Sequence, residues 1–274
     1  MGFWETIWKS FLLGTVQGLT EFLPVSSSGH LVLLQRLLGY SLEGGSMTFI
    51  NIMLHFGTLL AVLVAFRKEI FALFKKPFKP LLMLIVATIP AGVVGLLFED
   101  TVDGWFAGEK GIFLLAICFG VTAVLLLLCE LVATRRKRAH PLGWRSTTAM
   151  GFMQAVAVLP GISRSGSTIA AGTFAGGRVE EVSTFSFLMS IPIILGSVLV
   201  GLKGAIFDEP ETFSLMGSAG ILGIVIGIAA AAVSGFFAIK LMRVLVKHAN
   251  YKWFALYLFV LSLTSLWLNL IGIL

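Results

Sequence analysis

The sequence predicts an all-α integral membrane protein with six transmembrane helices and two re-entrant helical hairpins, arranged as an inverted-topology repeat. Three observations lead there. The 274 residues are 57% hydrophobic and 12% charged, with a mean hydropathy of +0.97, more apolar surface than a soluble core can hide. The apolar residues gather into runs of about 20, the length that crosses roughly 30 Å of hydrocarbon, and nothing resembles the alternating strands of an outer-membrane barrel. Polar segments containing Pro, Ser and Gly interrupt the pattern twice, at 17–30 and at 154–168.

In chain order, residues 5–23 read as a helix that Gln17 and Glu21 interrupt and Pro24 ends, and 29–39 as a helix too short to cross about 30 Å. Together they form the first hairpin. Spans follow at 48–66, 81–98 and 111–133. The pattern then restarts: 147–159 and 167–177 form a second short pair around Pro160, and spans follow at 183–202, 215–238 and 253–271. The chain therefore divides into 1–137 and 138–274, each a hairpin plus three spans. An odd number of crossings turns the second copy upside down, so the broken helices meet near the midplane. The spacings Gly14 to Gly18 and Gly223 to Gly227 allow close helix packing.

The formal charge of +6 is not a nucleic-acid footprint, because the basic residues sit in short runs between apolar segments. Lys and Arg at 67–80, 134–146 and 239–252 place those loops in the cytoplasm. The acidic loops, with Glu99, Asp100, Asp103 and Glu109 in one and Asp208, Glu209 and Glu211 in the other, then lie outside with both termini. The first apolar stretch carries Glu5, Lys9 and Glu21 and lacks a basic start, which argues against a cleavable signal peptide. Cys118 and Cys129 fall on one predicted helix, about 16 Å apart at 1.5 Å per residue, too far to pair.

The two polar segments carry the chemistry. Irregular backbone at membrane depth is tolerated where it is buried in protein or lines a wet cavity, so each turn marks a site. Helices opening near Ser26, Ser28 and Gly29, and near Ser163, Ser165 and Gly166, offer free N–H groups, hydroxyls and close backbone approach to an anion. Arg164 supplies a planar fork suited to phosphate oxygens. Gln17 and Glu21, four residues apart on one helical face, offer oxygens to Mg2+ or Ca2+ that would bridge to the anion. Ser27 and His30, three apart, place a hydroxyl nucleophile and an imidazole on one face. Structural readings compete with these: a mutual Glu21–Arg164 ion pair holding the hairpins, His30 as a helix-start hydrogen bonder, and the serines as caps. His55, inside an apolar span with no motif partner, reads as buried structure.

Gln17-x-x-x-Glu21, the run Leu23-Pro-Val-Ser-Ser-Ser-Gly-His30 and Pro160-Gly-x-Ser-Arg-Ser-x-x-Thr168 together resemble the undecaprenyl-pyrophosphate phosphatases, or bacitracin-resistance proteins, over essentially the full length. The resemblance implies hydrolysis of undecaprenyl pyrophosphate to undecaprenyl phosphate and inorganic phosphate in the bacterial inner membrane, with a divalent cation and a site opening to the outer, periplasmic side. It implies catalytic roles for Glu21, Ser27, His30 and Arg164, substrate binding by Gln17, Ser26, Ser28, Gly29, Ser163, Ser165, Gly166 and Thr168, and metal binding by Glu21 and Gln17. The partners expected are the polyprenyl lipid and the bilayer, with no nucleic acid and a homodimer left open. Where the family's first motif allows Glu or Gln, this chain has Gln17, so Glu21 is its only carboxylate. A transporter or flippase of a phosphorylated polyprenyl lipid is the rival reading, because inverted repeats with broken helices are a transporter design.

Overall fold

Eleven α-helices and one π-helical turn make up the computed structural model, which describes residues 2–40, 46–108, 110–136, 138–208, 211–246 and 250–273. The helices are α1 (Phe3–Phe22), α2 (Ser27–Leu37), α3 (Ser46–Ala65), α4 (Arg67–Leu73), α5 (Lys79–Ala107), α6 (Gly111–Arg135), α7 (Trp144–Val156), α8 (Arg164–Phe174), α9 (Val179–Lys203), α10 (Thr212–Val246) and α11 (Lys252–Leu270). The π turn, Gly204–Asp208, continues α9. Among the described residues six helices are long and apolar enough to cross a membrane: α3, α5, α6, α9, α10 and α11. These are the six segments the hydropathy pattern marks. In contrast, α2, α7 and α8 hold 11, 13 and 11 residues, short of the roughly 20 that a crossing needs.

Two features differ from expectation. The acidic segment after Phe98 is not a loop but the last turns of α5, because no proline breaks the backbone there and the helix continues to its Gly108 cap. The basic segment after Phe66 forms α4, with Glu69 in its favoured first turn. Arg243 of α10 bonds Glu69 at 3.1 Å and the Ala65 carbonyl at 3.0 Å, tying that corner down. Glu109, Glu209 and the repeat boundary at Lys137 lie outside the described residues, as do the side chains of Glu99 and Asp100.

Small residues set the closest packing. α1 lies against α10, and a Cβ added to Gly14 would stand 2.2 Å from the Gly227 carbonyl oxygen. One at Gly18 would stand 2.4 Å from the Ala231 oxygen, and one at Gly223 would meet Ser10 Oγ at 2.7 Å. The glycine spacings in both helices are thus used for backbone-to-backbone approach. On the other side of the molecule α7 lies against α5, where a Cβ on Gly151 would stand 2.7 Å from the Ala87 oxygen. The open end of the α1–α2 pair is closed by Lys9, 5% exposed, whose ammonium donates to Glu5 at 2.6 Å and to the Leu38 carbonyl at 2.8 Å. The α7–α8 pair is closed by Arg136, which donates to the Thr173 and Phe174 carbonyls.

Candidate active site

Both short helices begin on a capping serine. Ser26 Oγ accepts from the Gly29 amide at 3.4 Å, and Ser163 Oγ accepts from the Gly166 amide at 3.1 Å, each satisfying an otherwise unpaired first-turn N–H. Ser26 holds a φ of 68°, the only positive value at a non-glycine among the described residues. Such strain persists where the surroundings over-determine it, and it gathers at functional sites.

The two tips touch. A Cβ on Gly29 would stand 3.1 Å from the Gly161 Cα, and one on Gly166 would stand 3.2 Å from the Pro24 Cβ. Each contact joins the third residue after one capping serine to the second residue before the other. Ser165 Oγ donates to the Leu23 carbonyl at 3.1 Å, a direct bond between the tips. Thr122 of α6 supports the second tip, donating to the Gly161 carbonyl and accepting from the Ser163 amide, both at 3.1 Å.

Glu21 sits at this junction, 8% exposed, and Arg164, Ser27, Gln17 and His55 gather around it. Arg164 Nη2 donates to Oε1 at 2.5 Å across the tip contact, while Nη1 donates to the Ser186 carbonyl at 3.0 Å. The other oxygen, Oε2, accepts from Ser27 Oγ at 2.6 Å and from Gln17 Nε2 at 3.0 Å, and His55 Nε2 stands 3.7 Å away. A carboxylate so surrounded by donors is held as the anion, and the guanidinium opposite balances its charge. Gln17 Oε1 is buried with no hydrogen-bond partner among the described residues.

The structure brings Gln17, Glu21, Ser27 and Arg164 into one bonded cluster, as the motifs predict. It separates Ser27 from His30: they share α2, but the Ser27 hydroxyl turns to Glu21 while the His30 imidazole bonds the Ser26 carbonyl and the Tyr257 hydroxyl. Ser26 and Ser163 are caps, Ser28 is half-buried beside them, and Gly29 and Gly166 form the tip contacts. Thr168 is fully buried behind Arg164, donating to its carbonyl and bonding Ser186 Oγ at 2.7 Å, so it braces the arginine's helix. His55, expected as buried structure without a motif partner, is brought by α3 to 3.7 Å from the Glu21 carboxylate. The cost of an imidazole inside an apolar span was the available signal. Tyr257 of α11 had no local signal at all.

The chain matches the family described as bacitracin resistance protein BacA over residues 10–264. It is 38% identical to the undecaprenyl-diphosphatase of Carboxydothermus hydrogenoformans over 265 residues, 96% of this chain and 98% of that one. It is also 38% identical to the enzyme of the same name from Halothermothrix orenii, covering 94% and 96% of the two chains. The undecaprenyl-diphosphatase of Christiangramia forsetii is 37% identical over 270 residues, 95% of this chain and 97% of that one. On these matches, and with the motif residues of both tips gathered on one carboxylate, the chain belongs to the BacA bacitracin resistance family.

Proposed function

We propose that the chain hydrolyses undecaprenyl pyrophosphate to undecaprenyl phosphate and inorganic phosphate at the Glu21–Arg164 junction. The carrying observation is that one buried cluster holds an ion pair, a hydroxyl and an amide where two helix starts meet, in a chain nearly as long as relatives named for this activity. A pyrophosphate seated there would face the Arg164 fork and the first-turn N–H groups, which stabilise the charge on a transferring phosphoryl group. In our mechanism Ser27 Oγ bonds the terminal phosphorus while its proton passes to Glu21 Oε2, the acceptor it already bonds. The bond from that phosphorus to the bridging oxygen breaks and undecaprenyl phosphate leaves. Water then attacks that phosphorus as the Ser27 Oγ–P bond breaks: one water proton passes to His30 Nε2, the proton held by Glu21 returns to Ser27 Oγ, and inorganic phosphate leaves.

A divalent cation fits the donors present. The unpartnered Gln17 Oε1 and the Glu21 carboxylate lie on one helical face, and Mg2+ and Ca2+ are oxygen-binding ions that complete their shells with phosphate and water. When bound, the ion would offset the charge of the pyrophosphate beside Glu21. Among the described residues no group of three His, Cys, Asp or Glu forms a metal cage, so substrate would supply the remaining ligands.

We also read the two short-helix pairs as re-entrant hairpins entering from opposite leaflets. The reciprocal tip contacts support this, as does the matched placement of α1 on α10 and α7 on α5. In both, a glycine three residues before a glutamine, Gly14 or Gly151, meets the partner's backbone. The basic loops support a mouth that opens toward the outer side of a bacterial inner membrane.

The test is phosphate release from undecaprenyl pyrophosphate by the purified protein in detergent, where a pure transporter releases none. Activity is expected with Mg2+ or Ca2+ and is expected to be lost on chelation; full activity in excess chelator would remove the cation from the scheme. Ser27→Ala is expected to lower release by at least about 10³-fold, since removing a nucleophile can cost up to about 10⁶-fold. If Ser27→Ala kept most of the wild-type rate, attack by Ser27 would be ruled out.

A further inference from the structure

Of the four side chains expected to be catalytic, His30 alone stands outside the Glu21 cluster. Its Nδ1 lies 2.7 Å from the Ser26 carbonyl oxygen. A carbonyl only accepts, so Nδ1 carries the hydrogen and the neutral ring keeps its lone pair on Nε2. Nε2 lies 2.7 Å from the Tyr257 hydroxyl, and the two rings are within 11° of parallel. Phe119 of α6 meets the ring edge-on, at 5.8 Å between centroids. The residue anchoring Nδ1 is the strained Ser26, so the turn that caps α2 also fixes the tautomer.

We propose that Tyr257 is a positioning residue for the phosphatase reaction: by donating to Nε2 it holds His30 neutral and aimed in the free protein. A hydrogen bond given to Nε2 exists only when that nitrogen is unprotonated, so it favours the uncharged ring. The surrounding elements leave Tyr257 as the group able to do this. From α1, Glu21 is engaged by Ser27, Gln17 and Arg164, and Lys9 is held at the far end of α2 by the Leu38 carbonyl. From α6, Cys118 lies against Gly161 rather than the imidazole. From α3, His55 turns to Glu21. Tyr257 is 47% exposed, so packing does not lock its hydroxyl in place, and when it gives way Nε2 is left unprotonated and able to take a proton.

The inference rests on the phosphatase reading, but its test does not need turnover. The chain has four histidines, so ring nitrogen resonances of histidine-labelled protein can be assigned to His30 with His30→Gln. Wild type is expected to show Nδ1 protonated and Nε2 bare near neutral pH. Tyr257→Phe keeps the stacked ring and loses only the donor. It is expected to raise the pH at which His30 gains its second proton, by on the order of half to one unit, the size of one hydrogen bond. The acid limb of kcat/KM, which reports the free enzyme, moves up with it. A wild-type ring protonated on Nε2, or a midpoint unmoved in Tyr257→Phe, overturns the inference. Absence of phosphate release by wild type would instead sink the proposed function, with the titration read independently.

Discussion

Arg164→Ala is expected to abolish measurable phosphate release, a loss of about 10³ to 10⁵, the range associated with removing a charge-stabilising arginine in phosphoryl transfer. Arg164→Lys is expected to recover little. The guanidinium reaches two acceptors at once, Glu21 Oε1 at 2.5 Å and the Ser186 carbonyl at 3.0 Å, and an ammonium cannot reproduce that fork. Stability measurements separate the two roles of the pair. Removing Arg164 alone leaves a buried carboxylate without its counter-charge, which costs about 3–5 kcal/mol in buried pairs of this kind. Glu21→Ala combined with Arg164→Ala removes both charges, so thermal unfolding in detergent is expected to recover much of the loss while activity stays absent. Activity persisting in Arg164→Ala would mean the junction is only a brace.

Gly161→Ala is the second large effect. Its φ of 92° lies where an L side chain is strained, and an added Cβ would stand 2.6 Å from the Cys118 Cβ and 2.9 Å from the Leu115 carbonyl oxygen. Backbone strain of about 1–3 kcal/mol adds to an overpacking cost of about 1–3 kcal/mol. Because Gly161 also receives Gly29 across the tips, the displacement falls on the site, and misplacement by about 1 Å costs roughly 10²-fold in rate. Gly39→Ala is the control. Its φ is 54° with nothing within 4 Å of the new Cβ, so it carries the backbone cost alone and leaves phosphate release near wild type. Equal effects at the two glycines would show that tip packing contributes nothing.

The helices and the central cluster were legible because their signals are local. Apolar runs of spanning length mark α3, α5, α6, α9, α10 and α11 directly. Gln17 and Glu21 meet because four residues make a helical turn, and Pro24 and Pro160 announce the breaks. The misreadings arose where geometry depends on distant chain. Spacing on α2 puts Ser27 and His30 on neighbouring positions, but their bonds are decided by Glu21 from α1 and Tyr257 from α11. His55 and the Ser186 carbonyl join the site through tertiary packing, and a backbone carbonyl leaves no trace in a sequence. The short helix α4 was missed because a basic segment between spans reads as a loop whether or not it coils.

The ion pair joins positions 143 residues apart. While the chain is still being made, the carboxylate must therefore wait without its cation until the later segment arrives. A product stopped short of Arg164 keeps that carboxylate with only its neutral donors, Ser27 and Gln17, from the first segment. The reacting centre thus ties the early and late parts of the chain together, since the charge of one is balanced only by the other.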